Sequence, residues 1–168
     1  FKQGEGLTVV EMPYAGYKVA MLAILPDEGR FVEIEDSLDA DKLAGIRSSL
    51  SHGDLRLTFP KFENRGSYGL VPLFESLGMS KAFSPGAADF SGMNGGTDLS
   101  ISGIFHKSFV KVDEAGTEAA AATAVVIGTT SVPPPPTPVT FDRPFIYVIL
   151  DKPTGAILFM GRMADPTG

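Results

Sequence analysis

A hydrolase needs a nucleophile, a base and an orienting acid, and this 168-residue chain spells out no such set. It has no cysteine, its serines stand in no Gly-x-Ser-x-Gly elbow, and its two histidines, His52 and His106, lie far apart in sequence. Two lone histidines do not by themselves make a zinc site. Gly92-Met93-Asn94-Gly95-Gly96 lacks the Lys-Ser/Thr ending by which a phosphate loop holds its ligand, so it reads as a turn. His106 falls on one strand face with Ile104 and Val110, which predicts a buried imidazole hydrogen-bonded to a neighbour; His52, beside Gly53, reads as a solvated turn residue. No catalytic residue, cofactor or metal ligand is assigned, and an enzyme is not expected.

The informative stretch is residues 112–145, which disagrees with itself about local structure. Glu118 and the run Ala119-Ala120-Ala121-Ala122 favour helix, Val125 to Ile127 favour strand, and Pro133 to Pro136 suit neither a helix interior nor a central strand. One reading is an alanine-rich connector followed by a polyproline spacer. The other is a strand in waiting, because a loop this long inside a compact domain is usually functional. In that case Thr117, Ala119, Ala121, Thr123, Val125 and Ile127 face inward, small first and larger later, while Glu118, Ala120, Ala122, Ala124 and Val126 face out. Small leading residues meet little steric resistance on entering a packed sheet, and Gly116 permits the bend at the entry point.

The elements that would position this tract follow from periodicity. With 43% apolar residues the chain has the composition of one soluble globular domain, and a net charge of −6 argues against nucleic acid and anionic membrane as partners. No run reaches the roughly 20 apolar residues of a membrane helix. Leu7 to Met12 and Tyr17 to Leu25 read as an antiparallel pair turned at Pro13 to Gly16. Leu43, Ile46 and Leu50 predict one amphipathic helix over residues 36–50, capped by Ser37. Leu55, Leu57 and Phe59 alternate as a half-buried strand, Leu73, Phe74 and Leu77 ahead of Gly78 predict a short helix, and residues 86–97 read as loop. A strand from Ile104 to Val112 leads into the tract; beyond the prolines, Phe145 to Leu150 and Ala156 to Met163 form a second antiparallel pair turned at Asp151 to Gly155. About seven strands and two short helices without βαβ alternation give an α+β class with a mainly antiparallel sheet.

The order and spacing of several motifs resemble the serpin family from end to end. They are Val9-Val10-Glu11-Met12-Pro13-Tyr14 with Met21-Leu22-Ala23-Ile24-Leu25-Pro26, then Leu57-Thr58-Phe59-Pro60-Lys61-Phe62, Leu77-Gly78-Met79 and Ala82-Phe83. The tail matches best: Ala88-Asp89-Phe90-Ser91-Gly92-Met93, His106-Lys107, Val112-Asp113-Glu114-Ala115-Gly116-Thr117-Glu118-Ala119-Ala120-Ala121, Arg143-Pro144-Phe145, and Ile157-Leu158-Phe159-Met160-Gly161-Arg162 before Asp165-Pro166. The resemblance implies the C-terminal half of a single serpin domain, with short helices, a reactive loop over about 114–140 and a closing strand pair over 144–163. The chain opens at Phe1 without methionine, so it reads as a fragment whose core is completed by the missing N-terminal half.

The resemblance implies suicide inhibition of a serine protease. The loop is bait, a covalent acyl-enzyme forms, and the cut loop inserts as a new strand; roughly 14 residues at ~3.3 Å each carry the protease about 46 Å. Glu114 resembles the hinge acid, Gly116 its pivot, Thr117 the first residue to insert and Glu118, Ala119, Ala120 and Ala121 its permissive continuation, with Thr123, Val125 and Ile127 in the inserting strand. Counting along the family's spacing places the reactive bond at Thr130-Ser131. Gly128, Thr129, the four prolines and about three extra residues before Pro144 depart from the common pattern, so Ile127 and Thr129 stay open as alternatives. Thr130 suits a shallow pocket, which favours elastase-, chymotrypsin- or subtilisin-like targets over trypsin. The alternatives are a non-inhibitory serpin acting as a binding or storage protein, and a structural β-domain with a passive proline linker. A monomer acting outside the cell is expected.

Overall fold

The computed structural model describes residues 1–113 and 135–166. These form two compact units, Phe1–Phe62 with Val112–Gly168, and Glu63–Lys111. Among the described residues there are nine strands: β1 Lys2–Gly4, β2 Leu7–Pro13, β3 Val19–Pro26, β4 Leu55–Thr58, β5 Phe62–Gly69, β6 Phe105–Val112, β7 Thr137–Thr140, β8 Phe145–Asp151 and β9 Ile157–Met163. Four α-helices accompany them, α1 Phe31–Asp36, α2 Ala40–Ser48, α3 Val71–Ser76 and α4 Ser91–Asn94, with a 3₁₀ turn at Ser80–Phe83. No helix among the described residues is long and apolar enough to cross a membrane.

A five-stranded sheet in the order β1-β2-β3-β8-β9 is the frame of the first unit. Its two central strands are apolar along their length because they are covered on both faces. One face packs Leu7, Val9, Leu22, Ile24, Ile146, Val148 and Leu150 against Ile34 of α1 and Leu43 and Ile46 of α2. Both predicted hairpins form. The first turns where Tyr14 N–H donates to Val19 O at 2.9 Å, and the second where Gly155 N–H donates to Asp151 O at 2.8 Å. At the sheet's edge, β9 leaves Ile157, Leu158, Phe159 and Met160 exposed.

Several expectations need correction. Residues 36–50 are not one helix: the Ser37 hydroxyl donates back to Glu33 O and Ile34 O, closing α1, while the Asp39 side chain accepts from Lys42 N–H and opens α2. The carboxylate, not Ser37, is the cap, since it sits one residue before the first helical turn. Strands β1, β5 and β7 were not expected, the 86–97 loop contains α4, and β4 and β7 pair in parallel within an otherwise mainly antiparallel set. β1 and β7 are only three and four residues long, and β5 holds Asn, two Gly and charged residues, so none carries a clear period-two apolar signal and only a partner reveals them.

In the second unit β5 and β6 are hydrogen-bonded neighbours, and α3 ends before Gly78, which takes φ 95°. His106 is exposed, not buried, and its ring stacks on Tyr68 with centroids 6.3 Å apart. On that face of β6 burial rises along the strand, from half-buried Ser108 to buried Val110 and Val112, so the period was right but the buried stretch starts later.

Candidate functional site

The expected reactive bond Thr130-Ser131, the hinge residues Glu114, Gly116, Thr117, Glu118, Ala119, Ala120 and Ala121, and the inserting residues Thr123, Val125 and Ile127 lie outside the described residues. What the structure describes is how the two flanks of that tract are held.

On the near side, β6 ends at Val112, which is 9% exposed. Its side chain lines a small cleft with Met12, Pro13, Tyr14, Met21 and Phe59. Burial pushes the Tyr14 phenol above its ordinary pKa, so it stays neutral and its ring serves as wall. Val110 and Val112 alternate with Lys111 and turn their side chains to the covered face at the end of β6.

On the far side Pro135 and Pro136 are exposed, and β7 starts at once. Thr137 N–H donates to Asp54 O and Phe141 N–H to Thr58 O, both at 2.9 Å, closing the two ends of the β4–β7 pair. Pro138 has no N–H to give, so a two-stranded ribbon tolerates it where a central strand would not. Val139 is the inward residue of β7, and Phe141 follows it into the core. Arg143 Nε then donates to Pro26 O at 2.9 Å, which pins the return to the end of β3.

Five rings lock this return. Phe59 lies 4.9 Å from Phe141 and 5.2 Å from Phe145, Phe141 lies 5.1 Å from Phe145, and Phe62 reaches both Phe145 at 5.9 Å and Tyr147 at 5.2 Å. The tilted and edge-on geometries are those that aromatic quadrupoles favour. Phe59 is the common element: it packs on Phe141 of the far flank and shares a cleft with Val112 of the near flank. Phe59 therefore touches the far flank of residues 114–134 and lines the same cleft as the near flank. Sequence reasoning placed Phe59 on a strand face but missed this role, as well as those of Val139 and Phe141. The available signal was the aromatic spacing Phe59, Phe62, Phe141, Phe145 and Tyr147 around a proline-marked return.

Among the described residues no group of three His, Cys, Asp or Glu side chains is placed to hold a metal. The arrangement mounts both flanks of residues 114–134 on the first unit.

Comparison with known proteins gives this mount a context. A family model described as "Serpin (serine protease inhibitor)" matches residues 1–166. An uncharacterised serpin-like protein of Thermococcus kodakarensis is 41% identical over 166 residues, covering 98% of this chain and 38% of that protein. Leukocyte elastase inhibitor A of Mus musculus is 42% identical over 165 residues, covering 94% and 43%. Among solved structures, the thermophilic serpin tengpin in its native state matches with a TM-score of 0.77 at 33% identity, over 97% of this chain and 43% of its own. Thyroxine-binding globulin in complex with thyroxine matches with a TM-score of 0.80 at 31% identity, over 97% and 42%. The chain thus spans about two fifths of the length of these relatives.

Proposed function

The chain belongs to the serpin family, and from that premise we propose that the complete protein is a suicide inhibitor of serine proteases. The protease serine attacks the carbonyl of Thr130, the bond to Ser131 breaks with release of its amine, and an acyl-enzyme forms. The freed tract then enters the large sheet, Thr117 first, and the tethered protease is dragged with it before water hydrolyses the ester. New ladder hydrogen bonds and burial of Val125 and Ile127 drive the step, so the uncut protein is metastable. The partners are the target protease and the N-terminal half of the same serpin, and the protein acts as a monomer outside the cell.

The observation that carries the reading is that both flanks of the tract are seated in the first unit, with Phe59 packed on one and sharing a cleft with the other. A bait tract works only if it is long, small-residued at its leading end, and anchored at both flanks to a frame that survives cleavage. Val112 and Phe141, both buried, seat the two flanks, and Gly116, Thr117 and Ala119 to Ala122 supply the small leading residues. The likeness to the leukocyte elastase inhibitors, together with the small side chain at Thr130, favours elastase-, chymotrypsin- or subtilisin-like targets over trypsin.

The test is to incubate the complete protein with elastase, chymotrypsin, subtilisin and trypsin and look for an SDS-stable complex. We expect one with elastase or another shallow-pocket protease, with the cut after Thr130 by mass spectrometry. Clean nicking without complex removes the inhibitor and leaves the non-inhibitory binding or storage protein. A complex cut elsewhere removes only the bond assignment.

A further inference from the structure

Among the described residues, β7 is the one strand with a proline in its interior; β2 and β3 only end on theirs, Pro13 and Pro26. The side to which that proline turns its backbone follows from its neighbours. Thr137 N–H donates to Asp54 O and Phe141 N–H to Thr58 O, both at 2.9 Å. Backbone groups of successive strand residues point to opposite edges, so Thr137, Val139 and Phe141 face β4, while Pro136, Pro138 and Thr140 face away from it. On that outer edge only Thr140 has an N–H.

The edge is otherwise open. Among the described residues β7 is hydrogen-bonded to β4 alone, and Pro136, Pro138 and Thr140 are exposed. A strand edge with its donors free is a template on which another chain can pair. The partner always at hand is a second copy of the same strand, because antiparallel pairing about a two-fold axis is self-complementary. Centred on Pro138, such a pair would set Pro138 against Pro138 and Pro136 against Thr140. Opposed outward residues should each exchange an N–H for a carbonyl. Of the three N–H groups that each strand would need, the prolines remove two. The omission costs β7 nothing within its own sheet, since neither missing N–H points at β4.

We propose that Pro136 and Pro138 seal the outer edge of β7 against strand addition by a second copy of this chain, and so keep the far flank of the tract monomeric. Pro135 supplies the internal comparison. By the same alternation it falls on the inner side, where restoring an N–H adds no donor to the outer edge.

The test compares the complete protein with its Pro136→Thr/Pro138→Thr, Pro138→Thr and Pro135→Thr variants, each held at the same interval below its own Tm. Size-exclusion chromatography with light scattering follows association, and hydrogen exchange reads the amides of residues 136–140. The double variant should associate at least about tenfold faster than wild type, two ladder donors having been restored, and should gain amide protection at 136–140 as it does so. Pro138→Thr should fall between them. Pro135→Thr relaxes the unfolded chain as the others do but should stay monomeric, which separates an edge effect from plain loss of stability. A double variant as monomeric as wild type, a Pro135→Thr protein that associates equally fast, or association without new protection at 136–140 would overturn the proposal. If the double variant does not fold, Pro138→Thr decides by the same readings. No protease enters the experiment, so its outcome is independent of the inhibitor reading.

Discussion

Thr117 is the residue on which the proposed insertion turns, because it is the first side chain that must pass between packed strands. Thr117→Arg would bring a charge into a closing sheet interior, where desolvation is costly. The variant should be cut at the wild-type rate but released, turning inhibitor into substrate; a gel showing an undiminished SDS-stable complex would speak against insertion. Asp151 offers a prediction about pH. The Thr154 hydroxyl and amide both donate to its carboxylate and hold its pKa below the ordinary value. The folded protein therefore takes up this proton less readily than the unfolded chain. The contribution is full above the unfolded carboxylate's pKa and is lost as pH falls through the lowered folded one. Melting curves of Asp151→Asn and wild type should differ at neutral pH and converge on acidification. At this scale the sequence read His106 correctly as a strand residue and wrongly as a buried one. A period of two assigns a face but cannot say where along a strand its cover begins.

The elements form where their chemistry is local and stay hidden where it is shared. The hairpin turns at Tyr14 to Tyr17 and Asp151 to Gly155 were legible because Gly16 and Gly155, at φ 84° and 75°, fill left-handed positions that few residues accept. Strand β7 was not legible, since Thr137-Pro138-Val139-Thr140 has no signature until β4 lies beside it. The split between α1 and α2 was missed for a related reason. Ser37 and Asp39 are both good caps, and the choice depended on which backbone groups each could reach. Between β8 and β9, Gly161 leaves room for the Tyr147 ring, which a Cβ would meet. Gly161→Val should force that ring off its rotamer or part the two strands, and urea unfolding of the complete protein should show a loss of about 1–3 kcal/mol. An unchanged midpoint would mean that the ring has somewhere else to go.

For the whole molecule, the proposed metastability makes an unusual forecast: cutting the chain should make it harder to melt. Limited proteolysis within residues 114–134 of the complete protein is expected to raise Tm by tens of degrees, because the released tract adds a strand to the large sheet. A nick that leaves Tm in place or lowers it would favour the passive linker. Composition and pattern alone determined the α+β class, both hairpins and the odd, self-contradicting tract. These follow from local rules, in which each residue's backbone preference and the spacing of apolar side chains act within a few positions. Only the tertiary structure decided that Phe141 packs on Phe59 beside the cleft Val112 lines, that Asp39 rather than Ser37 starts α2, and that His106 stands in the open. Contacts between distant segments depend on how elements pack, and no period within a single strand records which ring will sit opposite it.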